Sequence, residues 1–173
     1  FSCASVIKCP ELKLVAQLHG WIDPVEYAWK LNTLGLHYNK GYLVVERNGP
    51  GSGTVLTLRQ LGYENLFREV TDIAQTQFVA DAIYGIDTNI RSKAYMVAFL
   101  KKVVQERAST VPSGPTLKEM TMFGQETLTS GENVRLRGVG GSHDDRVMSL
   151  VFAIYAALAY SLLDFTKENR KDS

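Results

Sequence analysis

The last third of the chain constrains the fold most. From Met148 to Leu163 almost every residue is apolar, interrupted only by polar Ser149 and Ser161 and by Tyr155 and Tyr160. A helix that is apolar nearly all round has to be covered by other elements, which places this one against the centre of a sheet. The run falls short of the roughly 20 residues needed to cross a bilayer, so a buried helix explains it better than a membrane span. His143-Asp144-Asp145 opens this helix, which is expected to reach about Asp164, followed by a charged tail, Lys167 to Ser173, that frays.

The rest of the composition agrees with one ordinary core. The chain has 173 residues, 45% of them hydrophobic and 21% charged, which is one domain's worth of material and predicts a single domain over 1–173. Nineteen Lys+Arg (19) against 18 Asp+Glu leave a net charge of +1. That excludes a basic tail wrapping nucleic acid while leaving room for a local basic groove. Cys3 and Cys9 make no disulfide framework, which favours a reducing compartment. No targeting segment opens the chain; Phe1 reads as mid-strand, as in a fragment or processed piece.

Strand and helix signals alternate along the chain. Phe1 to Ile7 and Leu12 to Leu18 are β-leaning runs around the turn Lys8-Cys9-Pro10-Glu11, which predicts an antiparallel hairpin. Asp23-Pro24 starts a helix, with Asp as cap and Pro in the first turn. Its apolar face is expected to comprise Val25, Ala28, Trp29, Leu31, Leu34, Leu36 and Tyr38. Tyr42 to Val45 has the continuous apolar character of a strand covered on both faces. Helical spacing follows over Thr54 to Leu61, and Leu66 to Val70 suggests another strand; Thr71 to Tyr84 has little pattern. A helix from Thr88 or Asn89 to about Glu106 is expected to bury Tyr95, Met96, Phe99, Leu100 and Val103. A short helical piece near Leu117 to Phe123 and a strand over Glu132 to Val139 complete the reading, an α/β or α+β domain with a mixed sheet.

The glycine run Gly49-Pro50-Gly51-Ser52-Gly53 lies between a strand and a helix, where a phosphate loop would lie. Such a loop ends in Gly-Lys-Ser/Thr, and here Gly53 is followed directly by Thr54. An ATPase site of that type is therefore not encoded. Glu46 follows four apolar residues at a strand's C-terminal end, beyond which ligands sit in open sheets; a solvated charge ending the strand is the plainer alternative. Asp144 and Asp145 have the plain reading of helix caps, and their doubling behind the flexible Gly138–Ser142 run leaves a metal site equally open.

Together these residues form a more specific pattern. A carboxylate ending an interior strand and carboxylates opening a central helix suit two hard divalent cations, Mg²⁺ or Mn²⁺. Ions about 3.5–4 Å apart can clamp both oxygens of a phosphodiester displacement. Nothing has zinc-ligand spacing, and no Ser/His/Asp arrangement suggests acyl transfer. His19 and His37 read as residues at a strand end and a helix end.

The ordered segments HGWIDPVEYAWKLNTLGLHYNKGYLVVERNGPG, GIDTNIRSKAYMVAFLKKVV and GVGGSHDDRVMSLVFAIYAAL resemble the C-terminal nuclease domain of the large terminase subunit of tailed bacteriophages. The resemblance spans most of the chain and is carried chiefly by Val44–Asn48 and His143–Met148. It implies an RNase H-like fold whose acidic cluster binds divalent metal and cuts double-stranded, concatemeric viral DNA at the start and end of packaging. By position, Glu46 matches the second acidic motif and the Asp144-Asp145 pair the third, with either Asp as metal ligand. The resemblance implies ligand-orienting or DNA-contacting roles for Asn48 and His143, and phosphate contact for Lys93 and Arg146. The family's first acidic motif lies on a central strand ahead of FSCASVI, so that strand is expected to precede Phe1 in the intact protein. An ATPase domain upstream, the portal and the small terminase subunit are the implied partners, and the host cytoplasm and the procapsid portal the implied location. Two alternatives remain at this point: a junction resolvase or transposase relative, and a non-catalytic DNA- or portal-docking module.

Overall fold

The computed structural model describes residues 1–69, 83–127 and 134–168. The chain divides into two compact units, Phe1–Gly20 with Ile90–Ser173, and Trp21–Asn89.

In the first unit, β1 (Ser2–Lys8) and β2 (Lys13–Gly20) form the expected antiparallel hairpin, in register from Ser2↔Gly20 to Lys8↔Lys13. The long apolar segment forms α5 (Asp145–Glu168), which packs on β1 and against α3 (Ile90–Gln105) and α4 (Gly114–Thr121). Val147, Leu150, Val151 and Ile154 are buried, as the sequence requires. Each such side chain taken out of water is worth about 1.5–3 kcal/mol. Ser149 breaks the apolar run because it faces β1: its hydroxyl lies 2.7 Å from Ser5 Oγ and 3.3 Å from Cys3 Sγ. Burial there pushes the Cys3 thiol up to about 11, so the cysteine sits in the hairpin as a neutral packing group.

On α3, Met96, Leu100 and Val103 are buried as expected, whereas Tyr95 is exposed. Its ring leans edge-on against Phe99 at 5.2 Å and Tyr155 at 6.1 Å, an arrangement that buries apolar carbon while the hydroxyl end stays wet. β5 (Phe123–Thr127) pairs antiparallel with β6 (Val134–Gly138). β5 carries no strand signal of its own, because Phe-Gly-Gln-Glu-Thr lacks the alternation that marks a half-buried strand. Of the strand expected over Glu132 to Val139, positions 132 and 133 lie outside the described residues, as do positions 169–173 of the charged tail.

In the second unit, α1 (Pro24–His37) is capped as expected: Asp23 Oδ1 accepts from the Val25 amide at 2.9 Å. Its buried side differs from the expected face. Ala28, Leu31 and Gly35 are buried, while Val25, Trp29 and Leu36 are 51%, 55% and 53% exposed. Gly35 is buried because the helix comes close to Tyr63 there: a Cβ at Gly35 would lie 2.2 Å from the Tyr63 hydroxyl, which donates to the Gly41 carbonyl at 2.6 Å. α2 (Gly51–Gln60) packs on α1 and buries Thr54, Val55 and Leu58, and the Thr54 hydroxyl donates to the Pro24 carbonyl at 3.1 Å.

The expected doubly covered strand over Tyr42 to Val45 is reduced to isolated parallel bridges, Leu43↔Leu66 and Glu46↔Ile86, with Tyr42 exposed and Val45 buried. The segment divides its hydrogen bonds between two neighbours, which leaves no continuous ladder. The Leu43 amide donates to the Asn65 carbonyl at 2.8 Å, and the Val45 carbonyl accepts from the Ile86 amide at 2.8 Å. β3 (Arg68–Glu69) and β4 (Ile83–Tyr84) pair antiparallel; Val70 and positions 71–82 lie outside the described residues. Among the described residues, the strands form three two-stranded antiparallel sheets, with parallel bridges at Lys13↔Thr110, Leu43↔Leu66 and Glu46↔Ile86. No described helix is long and apolar enough to cross a membrane.

Candidate metal centre

Glu46 belongs to the second unit, and the backbone around it is tightly determined. Gly51 lies so close to the Glu46 carbonyl that a Cβ there would stand 1.8 Å from the oxygen, so the turn after Glu46 needs glycine at that position. On the other flank Gly85 has φ +82, and a Cβ there would meet the Val45 carbonyl at 2.9 Å. Both features admit glycine for steric reasons. The Arg47 amide donates to the Ile86 carbonyl at 2.9 Å and its guanidinium to the Gly85 carbonyl at 3.0 Å. These bonds hold the two stretches side by side.

The Glu46 side chain is braced by neutral groups. The Thr88 hydroxyl donates to Glu46 Oε1. Asn48 Nδ2 in turn donates to the Thr88 carbonyl at 2.6 Å and to Thr88 Oγ1 at 3.0 Å. Asn48 therefore acts on Glu46 through Thr88. A carboxylate offers about four acceptor sites, and this network uses one.

Asp144 and Asp145 lie in the first unit, after a short 3₁₀ turn, Val139–Gly141. Gly140 and Gly141 have φ of +66 and +79, and a Cβ at Gly138 would lie 2.1 Å from the Ser142 carbonyl. The glycine run noted in the sequence is thus a tight reversal delivering the chain to the mouth of α5. The Asp144 carbonyl accepts from the Met148 amide at 2.8 Å, the first backbone bond of the helix.

Charged groups surround this acidic turn. Glu119 of α4 accepts from the Arg146 amide through Oε2 at 2.9 Å and from the Arg146 guanidinium through Oε1 at 2.5 Å. The helix mouth is thus capped from another element by Glu119, at the amide that the plain reading assigned to an Asp. Arg146 also donates to His19 Nδ1 at 2.9 Å. Arginine can only donate, so Nδ1 is the acceptor and Nε2 carries the hydrogen; His19 Nε2 is buried with no partner among the described residues. Burial, then the Arg146 charge, holds the His19 imidazole below its ordinary range. Lys93 Nζ lies 3.4 Å from Asp144 Oδ2, and exposed His143 Nδ1 lies 3.8 Å from Asp145 Oδ2.

Of the residues singled out in the sequence, Asn48 is grouped with Glu46, and Lys93, His143 and Arg146 with the Asp pair. Thr88 and Glu119 were not singled out as site residues. Thr88 stood in the segment that carried the resemblance, but Glu119 is 27 residues from Arg146 and gave no signal. Among the described residues, no group of three or more His, Cys, Asp or Glu is gathered to hold a metal ion. The donor chemistry still fits a hard cation. Glu46, Asp144 and Asp145 offer carboxylate oxygens only, and the ammonium of Lys93 already lies against one of them.

No protein-family model and no curated protein matches the chain. Solved structures do. The large terminase nuclease from thermophilic phage G20c with bound cobalt is 22% identical, with a TM-score of 0.67 over 87% of this chain and 71% of that one. The same nuclease with bound magnesium gives 21% and 0.66 over 87% and 71%. The nuclease domain of the large terminase of Thermus phage P74-26 gives 20% and 0.62 over 86% and 68%. At these identities the likeness is one of fold: the chain folds like these terminase nuclease domains, in line with the resemblance read from the sequence.

Proposed function

We propose that this chain is a divalent-metal-dependent endonuclease domain that cuts double-stranded concatemeric viral DNA during genome packaging. The observation that carries the reading is a terminase-nuclease fold bearing oxygen-only donors at two separately braced stations, Glu46 and Asp144-Asp145. Mg²⁺ or Mn²⁺ suits such donors, and a bound pair supplies a water of lowered pKa and charge compensation at the departing 3′ oxygen.

Each residue then has a stated task. Glu46, Asp144 and Asp145 are the metal-holding, catalytic carboxylates. The Thr88 hydroxyl, held by Asn48, orients Glu46 by donating to it. Exposed His143 beside Asp145 remains available to DNA. Arg146 is engaged by Glu119 and His19, which supports a positioning role in place of the phosphate contact the resemblance implied. The whole of 1–173 acts as one nuclease domain, with an ATPase motor domain of the same protein, the portal and the small terminase subunit as its partners at the procapsid portal in the host cytoplasm.

The test is cleavage of supercoiled plasmid in Mn²⁺ by Glu46→Ala and Asp145→Ala, with circular dichroism as the check on folding. Both variants are expected to fold and to cut nothing. Near wild-type cleavage by either one refutes the assignment.

A further inference from the structure

We infer that Lys93 is a placeholder cation for the acidic turn: its ammonium occupies Asp144 until a divalent ion takes that carboxylate, and then withdraws. The inference rests on the metal-binding reading above and adds a mode of regulation to it.

The contrast between two neighbouring ion pairs carries the argument. Arg146 and Glu119 meet at 2.5 Å, with side chains 23% and 10% exposed. Lys93 and Asp144 meet at 3.4 Å, each 26% exposed. The first pair is short and reinforced by the Arg146 amide on the same carboxylate. The second is longer than a well-formed charge-assisted hydrogen bond, which runs about 2.7–2.9 Å. It is a contact between opposite charges more than a directed bond, and water has access to both partners.

The chemistry of the two cations points the same way. Arginine's planar fork suits a permanent brace, whereas lysine carries a compact charge on a flexible four-carbon stem. Lys93 also has a second place to rest, because its Nζ lies 5.8 Å from the centre of the Phe123 ring. That is within cation–π range, about 6 Å. The ammonium can therefore leave Asp144 without losing all its favourable contacts. While it stays, it neutralises a carboxylate that is partly withdrawn from water. A divalent ion must compete with it for the same oxygen.

The prediction runs against the usual effect of removing a residue from a site. Mn²⁺ binding is measured by calorimetry and by loss of the free-ion EPR signal, on the full chain and on Lys93→Met, Lys93→Arg and Asp144→Ala. Thermal melting without metal checks that each is folded. Lys93→Met is expected to bind Mn²⁺ about tenfold tighter or more, since a like charge beside the ion is removed. Lys93→Arg keeps the charge on a fork that yields less readily and is expected to bind Mn²⁺ no tighter than wild type. Unchanged or weaker binding in Lys93→Met, with binding lost in Asp144→Ala, overturns the placeholder role and leaves the metal reading standing. Absence of Mn²⁺ binding in the wild type overturns both.

Discussion

Glu46 and the Asp144-Asp145 turn are held in place by different kinds of interaction. Glu46 is fixed by neutral contacts: a threonine hydroxyl, an asparagine amide behind it, and backbone stretches that approach so closely that only glycine fits at Gly51 and Gly85. The Asp turn sits among the charges of Glu119, Arg146 and Lys93 at the mouth of α5, with the His19 imidazole accepting from Arg146. Neutral hydrogen bonds contribute about 0.5–1.5 kcal/mol each, and bonds to charged groups about twice that. A buried charge left without its partner costs more again. The two stations should therefore fail differently when a supporting residue is removed.

The largest effect is expected at the charged station. Glu119→Ala leaves the Arg146 guanidinium, 23% exposed, without its carboxylate and uncaps its amide. The loss should be roughly 3 kcal/mol of stability in urea unfolding, the low end for a broken buried pair because Arg146 retains some water. A loss under about 1 kcal/mol would place Glu119 among ordinary surface acids.

At the neutral station the effect should fall on activity more than on stability. Thr88→Val removes the hydroxyl that donates to Glu46 while keeping the shape. Stability should drop by about 1–2 kcal/mol, since the lost bond ends on a carboxylate that keeps some water, and Mn²⁺-dependent cleavage by about 10–100-fold, as for groups that orient a metal-binding carboxylate. Equal losses on both measures would erase the distinction between the stations.

The smallest effect concerns pH. His19 is held below its ordinary range by burial and by the Arg146 charge, so the unfolded chain takes up a proton there before the folded one does. Stability from this group is complete above the unfolded value of about 6.5 and is lost as pH falls from there towards the folded value. The urea midpoint should decline between about pH 7.5 and about pH 5.5, and His19→Gln should flatten part of that decline. The neutral station, with no such histidine, predicts no matching change for Thr88→Val.

Much of the frame was legible in the sequence because it rests on local rules. The hairpin followed from two β-leaning runs around a proline turn, α1 from Asp23-Pro24, and α5 from a run too apolar to be exposed. The errors arose where a distant contact decides. Periodicity put Trp29 and Leu36 on the inner face of α1, but both are exposed, and the helix buries Gly35 against Tyr63. Tyr42 to Val45 has a strand's composition, yet its bonds go to two neighbours and no ladder forms. The carboxylates proposed as metal ligands stand out by type and position, since Glu46 ends an apolar run and the Asp pair opens an apolar helix. Their supports could not, because nothing along the chain links Glu119 to the Arg146 amide.

The proposed function stands on divalent ions held by the oxygens of Glu46 and of the Asp144-Asp145 turn. The most direct measurement is anomalous scattering from Mn²⁺-soaked crystals of the protein. Ion peaks are expected within coordinating distance of a Glu46 oxygen and of an oxygen of Asp144 or Asp145. Peaks at only one of the two stations, or at neither, would contradict that function.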